Sequence, residues 1–191
     1  MIVHFVTHPE VVIDPSVPVV DWSLSPVGLA RMRAAVRRPW ATEIGAVFSS
    51  TERKAREAAA VLGAARGLPV RAMAALGEND RAATGYLPRA AFEAQADAFF
   101  AQPCVSVRGW ERACDAQLRI IAAVDQALAA APAAGDVAIV AHGAVGTLML
   151  CHLMGAGISR ALEQPGEGGG NRFAFERSTR RLFCGWTRIE A

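Results

Sequence analysis

Lysine is almost absent from this chain. Of its 20 basic residues, 19 are arginine, and Lys54 stands alone. A large net charge is missing too. The formal balance is +2, too small for the basic stripe that usually marks nucleic-acid binding. No apolar run approaches the roughly 18–20 residues that a membrane-spanning helix needs. Residues 1–6 lack the basic stretch and long apolar core of a secretory signal. The four cysteines, Cys104, Cys114, Cys151 and Cys184, form no Cys-x-x-Cys pair. That spacing gives a zinc site no support and predicts free thiols in a cytosolic protein.

Apolar material is abundant. Hydrophobic residues make up 52% of the 191, which suffices for a core and excludes a disordered chain. The length predicts one domain over residues 1–191. Alanine fills about a fifth of the chain and, with the arginine bias, points to GC-rich, bacterial coding. Nothing in the sequence fixes an oligomeric state.

Residues 2–6 read as a short buried strand ending at Thr7-His8-Pro9. Ser25-Pro26 opens a helix over 26–37, with Ser as N-cap and Pro in the first turn. Leu29, Met32 and Val36 share one face of it. A second strand, 44–48, runs into Ser49-Ser50, and Ser49-x-x-Glu52 has the pattern of a capping box for a helix over 51–66. Gly67-Leu68-Pro69 stops that helix, and 70–73 forms a short third strand. A polar loop spans 77–88, and helices follow at 89–101 and 110–131. Residues 136–141 are the clearest buried strand, with a helix over 145–154 behind them. Gly166–Gly170 reads as a flexible loop, and 172–176 with 180–187 as a terminal hairpin. Strands alternating with helices predict a three-layer α/β/α sandwich around a mostly parallel sheet. In such sheets ligands sit beyond the carboxyl ends of the strands.

Those ends carry the chemistry-bearing residues. His8 and His142, two of only four histidines, follow directly on apolar strands. Lys54 lies one turn into a helix, and Glu78 lies in a loop where it could give or take a proton. Two histidines, a cation and an acid at one rim suit phosphoryl transfer, with a neutral imidazole as nucleophile. His4, inside a strand, and His152, inside a helix, read as structural. Phe99, Phe100, Trp110 and Trp186 read as packing residues.

The ordered set His8, Leu24-Ser25-x-x-Gly28, Ser49-Ser50-x-x-x-Lys54-Ala55, Glu78 and Ala141-His142-Gly143 resembles the histidine phosphatase superfamily, the phosphoglycerate-mutase-like fold. The resemblance covers nearly the whole chain. It implies phosphomonoester hydrolysis of a small phosphorylated substrate, with no metal and no cofactor. His8 would form the phosphohistidine, His142 would bind the phosphoryl group, and Glu78 would be the general acid and base. Lys54, Thr7, Ser50 and Gly143 would bind phosphate.

The match departs from the family at the phosphate pocket. Thr7-His8-Pro9 stands where the family has Arg-His-Gly, and Lys54 stands where it has Arg. Thr7 offers one hydroxyl instead of a charged, bidentate fork. Pro9 has no backbone N–H to offer. Lys54 keeps a charge but not the planar fork. Two readings follow. In one, Arg53, Arg56, Arg81, Arg108 or Arg172 restores the lost charge, and the protein is a phosphatase that also accepts phosphate or sulfate. In the other, a catalytically impaired domain binds a phosphorylated ligand or a protein partner. Asp80 stands beside Glu78 as an alternative general acid. Asp14 falls where the family has an Asn, and Glu111 is not assigned to catalysis.

Overall fold

Val137, Ile139 and Ala141 alternate with Ala138 and Val140 along one strand, and all five are buried. Side chains on a strand point to opposite faces in turn, so this strand must be covered on both sides. In the computed structural model, which describes residues 1–166 and 168–191, it is β4 (Asp136–Ala141). The other strands are β1 (Ile2–Thr7), β2 (Ile44–Ser49), β3 (Val70–Ala72), β5 (Asn171–Glu176) and β6 (Leu182–Arg188). The sheet order is β3-β2-β4-β1-β5-β6. The first four strands run parallel, and β5 and β6 pair antiparallel at one edge. The expected mostly parallel sheet with a terminal hairpin is therefore the observed one.

Helices α1 (Pro26–Ala35), α2 (Pro39–Thr42), α3 (Arg53–Arg66), α4 (Arg89–Ala101), α5 (Ala113–Ala130) and α6 (Gly143–Leu153) complete the chain. On one face Val3, Phe5 and Ile139 pack against Ile120 and Val124 of α5 and Val145 and Met149 of α6. On the other, Val6 and Val140 pack against Met32 of α1 and Ala58 and Leu62 of α3. Leu29 and Val36 flank that second cluster, as the helical spacing predicts. A third cluster joins Phe99, Phe100, Trp110 and Leu148. No helix among the described residues is long and apolar enough to cross a membrane, and all four cysteines are free.

Three local expectations need correction. Ser49 does not cap α3. Glu52 is the N-cap residue, and no side chain bonds the helix N–H groups there. α5 begins at Ala113 and not at 110, because Trp110 and the N-cap Arg112 are extended, with ψ of 152° and 142°, and Arg108 and Gly109 before them have φ of 50° and 80°. Neither left-handed value can propagate a right-handed helix. The described part of the glycine run is anchored. Arg31 donates to the carbonyls of Gly169 at 3.1 Å and Gly170 at 3.0 Å, and the Gly170 N–H donates to the His8 carbonyl at 3.1 Å. Glu167, within that run, lies outside the described residues.

Candidate active site

Strand register brings the two histidines together. β1 and β4 are adjacent and parallel, with Thr7 opposite Ala141. The next residues, His8 and His142, leave the sheet at one level. The His8 N–H donates to the Ala141 carbonyl at 3.1 Å. The two imidazoles meet edge to face, with ring centroids 5.2 Å apart. β2 flanks β4 on its other side, and the Ser50 N–H donates to the Val140 carbonyl at 3.0 Å. That seats the start of α3, with Glu52 and Lys54, beside His142. Glu78 arrives from the end of β3 through a short 3-10 turn over Ala74–Leu76.

His8 Nδ1 lies 2.9 Å from the Pro9 carbonyl. A carbonyl can only accept, so Nδ1 carries the proton and Nε2 keeps a free lone pair. Burial, and then the neighbouring His142, hold the His8 imidazole down to about 3. It is therefore neutral across the physiological range, which a nitrogen nucleophile requires. His142 is fully buried, and neither ring nitrogen has a hydrogen-bond partner among the described residues. Burial lowers it to about 3 as well, against the opposing pull of Glu52.

Glu52 is the residue that sequence reasoning treated only as a cap. Its carboxylate is turned inward. Oε2 accepts from Lys54 Nζ at 2.5 Å, and Oε1 accepts from the Glu78 N–H at 2.9 Å. Oε1 also lies 3.3 Å from His142 Nε2, within ion-pair distance but without hydrogen-bond alignment. Burial works against ionisation of Glu52, but His142, Lys54 and the donated hydrogen bonds win and hold it near 2. At neutral pH His142 is uncharged, so Lys54 supplies the attraction. Lys54 also donates to the Val19 carbonyl at 2.8 Å. Its charge is thus used inside the protein.

Glu78 sits over the start of α6. Its Oε1 accepts from the Val145 N–H at 3.0 Å and its Oε2 from the Ala144 N–H at 3.2 Å. These N–H groups lack intrahelical partners, and the Glu78 carboxyl oxygens satisfy them. Thr7 is engaged elsewhere. Its hydroxyl donates to Gln164 Oε1 at 2.7 Å and accepts from the Asn171 N–H at 3.0 Å. Ser50 is buried, and its hydroxyl accepts from the Glu52 N–H at 3.1 Å. Asp80 is exposed and accepts from the Ala82 N–H at 2.9 Å. Asp14 binds Ser16 on the surface. Glu111 pairs with Arg119 at 2.7 Å.

A cavity of about 220 Å³ opens beside this cluster. His8, Glu78, Asn79, Arg81, Phe92 and Trp110 are among the residues that line it. Of the arginines that could restore charge, only Arg81 borders it. Arg53 pairs with Glu57 at the surface, Arg56 lines a separate cavity with it, and Arg172 packs over Trp40. No group of three or more His, Cys, Asp or Glu side chains among the described residues could hold a metal ion.

The sheet is mostly parallel, with two histidines at adjacent strand ends and a carboxylate over the helix that follows. The chain belongs to the histidine phosphatase superfamily (branch 1), whose family model matches residues 16–182. The match takes in Glu78 and His142 and begins eight residues past His8. No curated protein matches the sequence. Solved structures share the fold at low identity. A mycobacterial glucosyl-3-phosphoglycerate phosphatase with inorganic phosphate has TM-score 0.80 and 21% identity, over 100% of this chain and 99% of that one. The same enzyme with VO3 has TM-score 0.74 and 22% identity, over 92% of each chain. YhfR of Bacillus stearothermophilus has TM-score 0.78 and 20% identity, over 95% of this chain and 93% of that one.

Proposed function

We propose that the protein is a phosphomonoester hydrolase acting through a phosphohistidine on His8. One observation carries this reading. The Pro9 carbonyl fixes the His8 tautomer, leaving a neutral Nε2 lone pair on a residue that borders a cavity shared with Glu78. Nε2 attacks phosphorus while the ester oxygen departs with a proton from Glu78. Water then attacks the phosphohistidine and gives its proton back to Glu78, releasing phosphate and free His8. His142, whose ring meets His8 edge to face, donates its single N–H to a phosphoryl oxygen.

The test is turnover of 4-nitrophenyl phosphate. Wild type should hydrolyse it, and His8→Ala should reduce hydrolysis to background. Hydrolysis that survives His8→Ala would sink the mechanism. Two observations favour a second reading: Glu52 already neutralises Lys54, and Thr7 is turned to Gln164. In that reading the domain binds a phosphorylated ligand or a protein partner without turnover. Phosphate would then raise the melting temperature while hydrolysis of every phosphate ester tested stayed at background.

A further inference from the structure

Two polar side chains at the cavity remain unused. Asn79 is only 3% exposed, yet neither its amide nitrogen nor its amide oxygen has a hydrogen-bond partner among the described residues. A buried unpaired amide costs about 1–3 kcal/mol, which a bound ligand or water at the cavity would relieve. Arg81 follows two residues later. Its guanidinium has no carboxylate or carbonyl partner among the described residues. Instead it lies over the faces of Phe92 at 5.2 Å and Trp110 at 5.6 Å. Those rings hold its plane without consuming its N–H donors. Its field also reaches His142, where it helps keep the imidazole uncharged.

The other charges nearby are spoken for. Lys54 is neutralised by Glu52, and Arg119 by Glu111 and the carbonyls of Ala75, Gly77 and Glu78. Besides Glu78, two acids border the cavity, and both have partners. Glu10 accepts from the Ser25 hydroxyl at 2.7 Å, and Glu163 from Arg160 at 2.7 Å. Arg81 is thus the one cation bordering this cavity whose charge no described carboxylate offsets.

We propose that Asn79 and Arg81 are the phosphoryl-binding donors of this site, taking the place that the sequence resemblance gives to Thr7 and Lys54. The anion-binding charge has moved from the start of α3 to the loop that carries Glu78. Residues 78–81 then supply the proton-transfer group, a neutral donor and a guanidinium fork. This inference rests on the reading of the cavity as a phosphate site, and its test separates the two.

Inorganic phosphate is titrated by calorimetry into the full-length wild type, Arg81→Gln, Arg81→Lys and Asn79→Ala, with turnover of 4-nitrophenyl phosphate followed in parallel. Loss of a charge-assisted bond should weaken phosphate binding by about tenfold or more in Arg81→Gln. Asn79→Ala should weaken it by roughly fivefold, as expected for a neutral hydrogen bond. Arg81→Lys keeps the stem over the rings and guards against a folding defect. It should bind phosphate between wild type and Arg81→Gln. Phosphate affinity within twofold of wild type in Arg81→Gln and Asn79→Ala overturns the proposal, as does a wild type that does not bind phosphate. Arg81-dependent binding without turnover keeps this proposal and removes hydrolysis. Turnover with Arg81-independent binding does the reverse.

Discussion

Glu52 is the side chain on which the charge balance of the site turns. It is nine-tenths buried and holds the only lysine, itself 4% exposed at the side chain. Removing one member of a buried pair leaves the other charge uncompensated, at a cost of about 3–5 kcal/mol. Glu52→Gln keeps the shape but puts an amide NH2 against either Lys54 Nζ or the Glu78 N–H, both of them donors. We expect Glu52→Gln to destabilise the fold by about 3 kcal/mol on that ground. Adding Lys54→Met should recover much of the loss, because the stranded charge disappears. Urea denaturation of both single variants and the double variant measures the coupling, and simple additivity would show that the two residues act independently. The same pair shows what the sequence alone missed in Glu52. The spacing Ser49-x-x-Glu52 is a capping pattern, but here Lys54 and the Glu78 N–H take the carboxylate inward, and the buried Ser49 hydroxyl has no partner among the described residues. The visible cue was an acid two residues before a lone lysine.

At the scale of elements, α1 was readable because its signals are local. Ser25 caps it through a 3.0 Å bond from the Gly28 N–H, and Pro26 opens it. The Ser25 hydroxyl also donates to Glu10 at 2.7 Å, which ties the start of α1 to the segment just past His8. Ser25→Ala removes both bonds. It should lower stability by about 1–2 kcal/mol, the upper range for a cap, because Glu10 loses a partner as well. Thermal unfolding checks this, and a change below half a kilocalorie would mean that the cap is dispensable. Gly28 is fixed by contact, since a Cβ there would lie 2.2 Å from the Glu10 carbonyl oxygen. α4 and β4 were equally legible, one bounded by Pro88 and Pro103, the other by continuous apolar alternation. What stayed hidden depends on contacts between distant segments. Asn79 looks like any loop amide until the fold buries it, and Gln164 meets Thr7 only because β5 pairs with β1. Arg81 was one of five arginines of equal standing in the sequence, and only the packing of Phe92 and Trp110 against it singles it out.

For the whole molecule, buried neutral histidines set the response to acid. His142 is held to about 3 by burial. His4, 4% exposed within β1, is held to about 4 by burial and Arg172 against the pull of Asp136. Unfolded, both titrate near 6.5. Above that pH neither state binds a proton, so neither group affects stability. Below it the unfolded chain takes up protons that the folded chain refuses, and stability falls as pH falls. Each group steepens the slope by about 1.4 kcal/mol per pH unit, until the folded state itself protonates. Glu52 acts in the same direction lower down. Its folded value near 2 lies below the ordinary 4.5, so its contribution is complete above 4.5 and is lost as pH falls toward 2. Stability should therefore be nearly flat between about pH 7 and 8 and should decline steeply below about 6.5. Urea midpoints at half-unit steps from pH 8 to 5 trace this curve. His4→Leu should flatten it below pH 6.5 by about 1.4 kcal/mol per unit. A curve level down to pH 5, or a slope unchanged by His4→Leu, would mean that the imidazoles take up protons within the native fold.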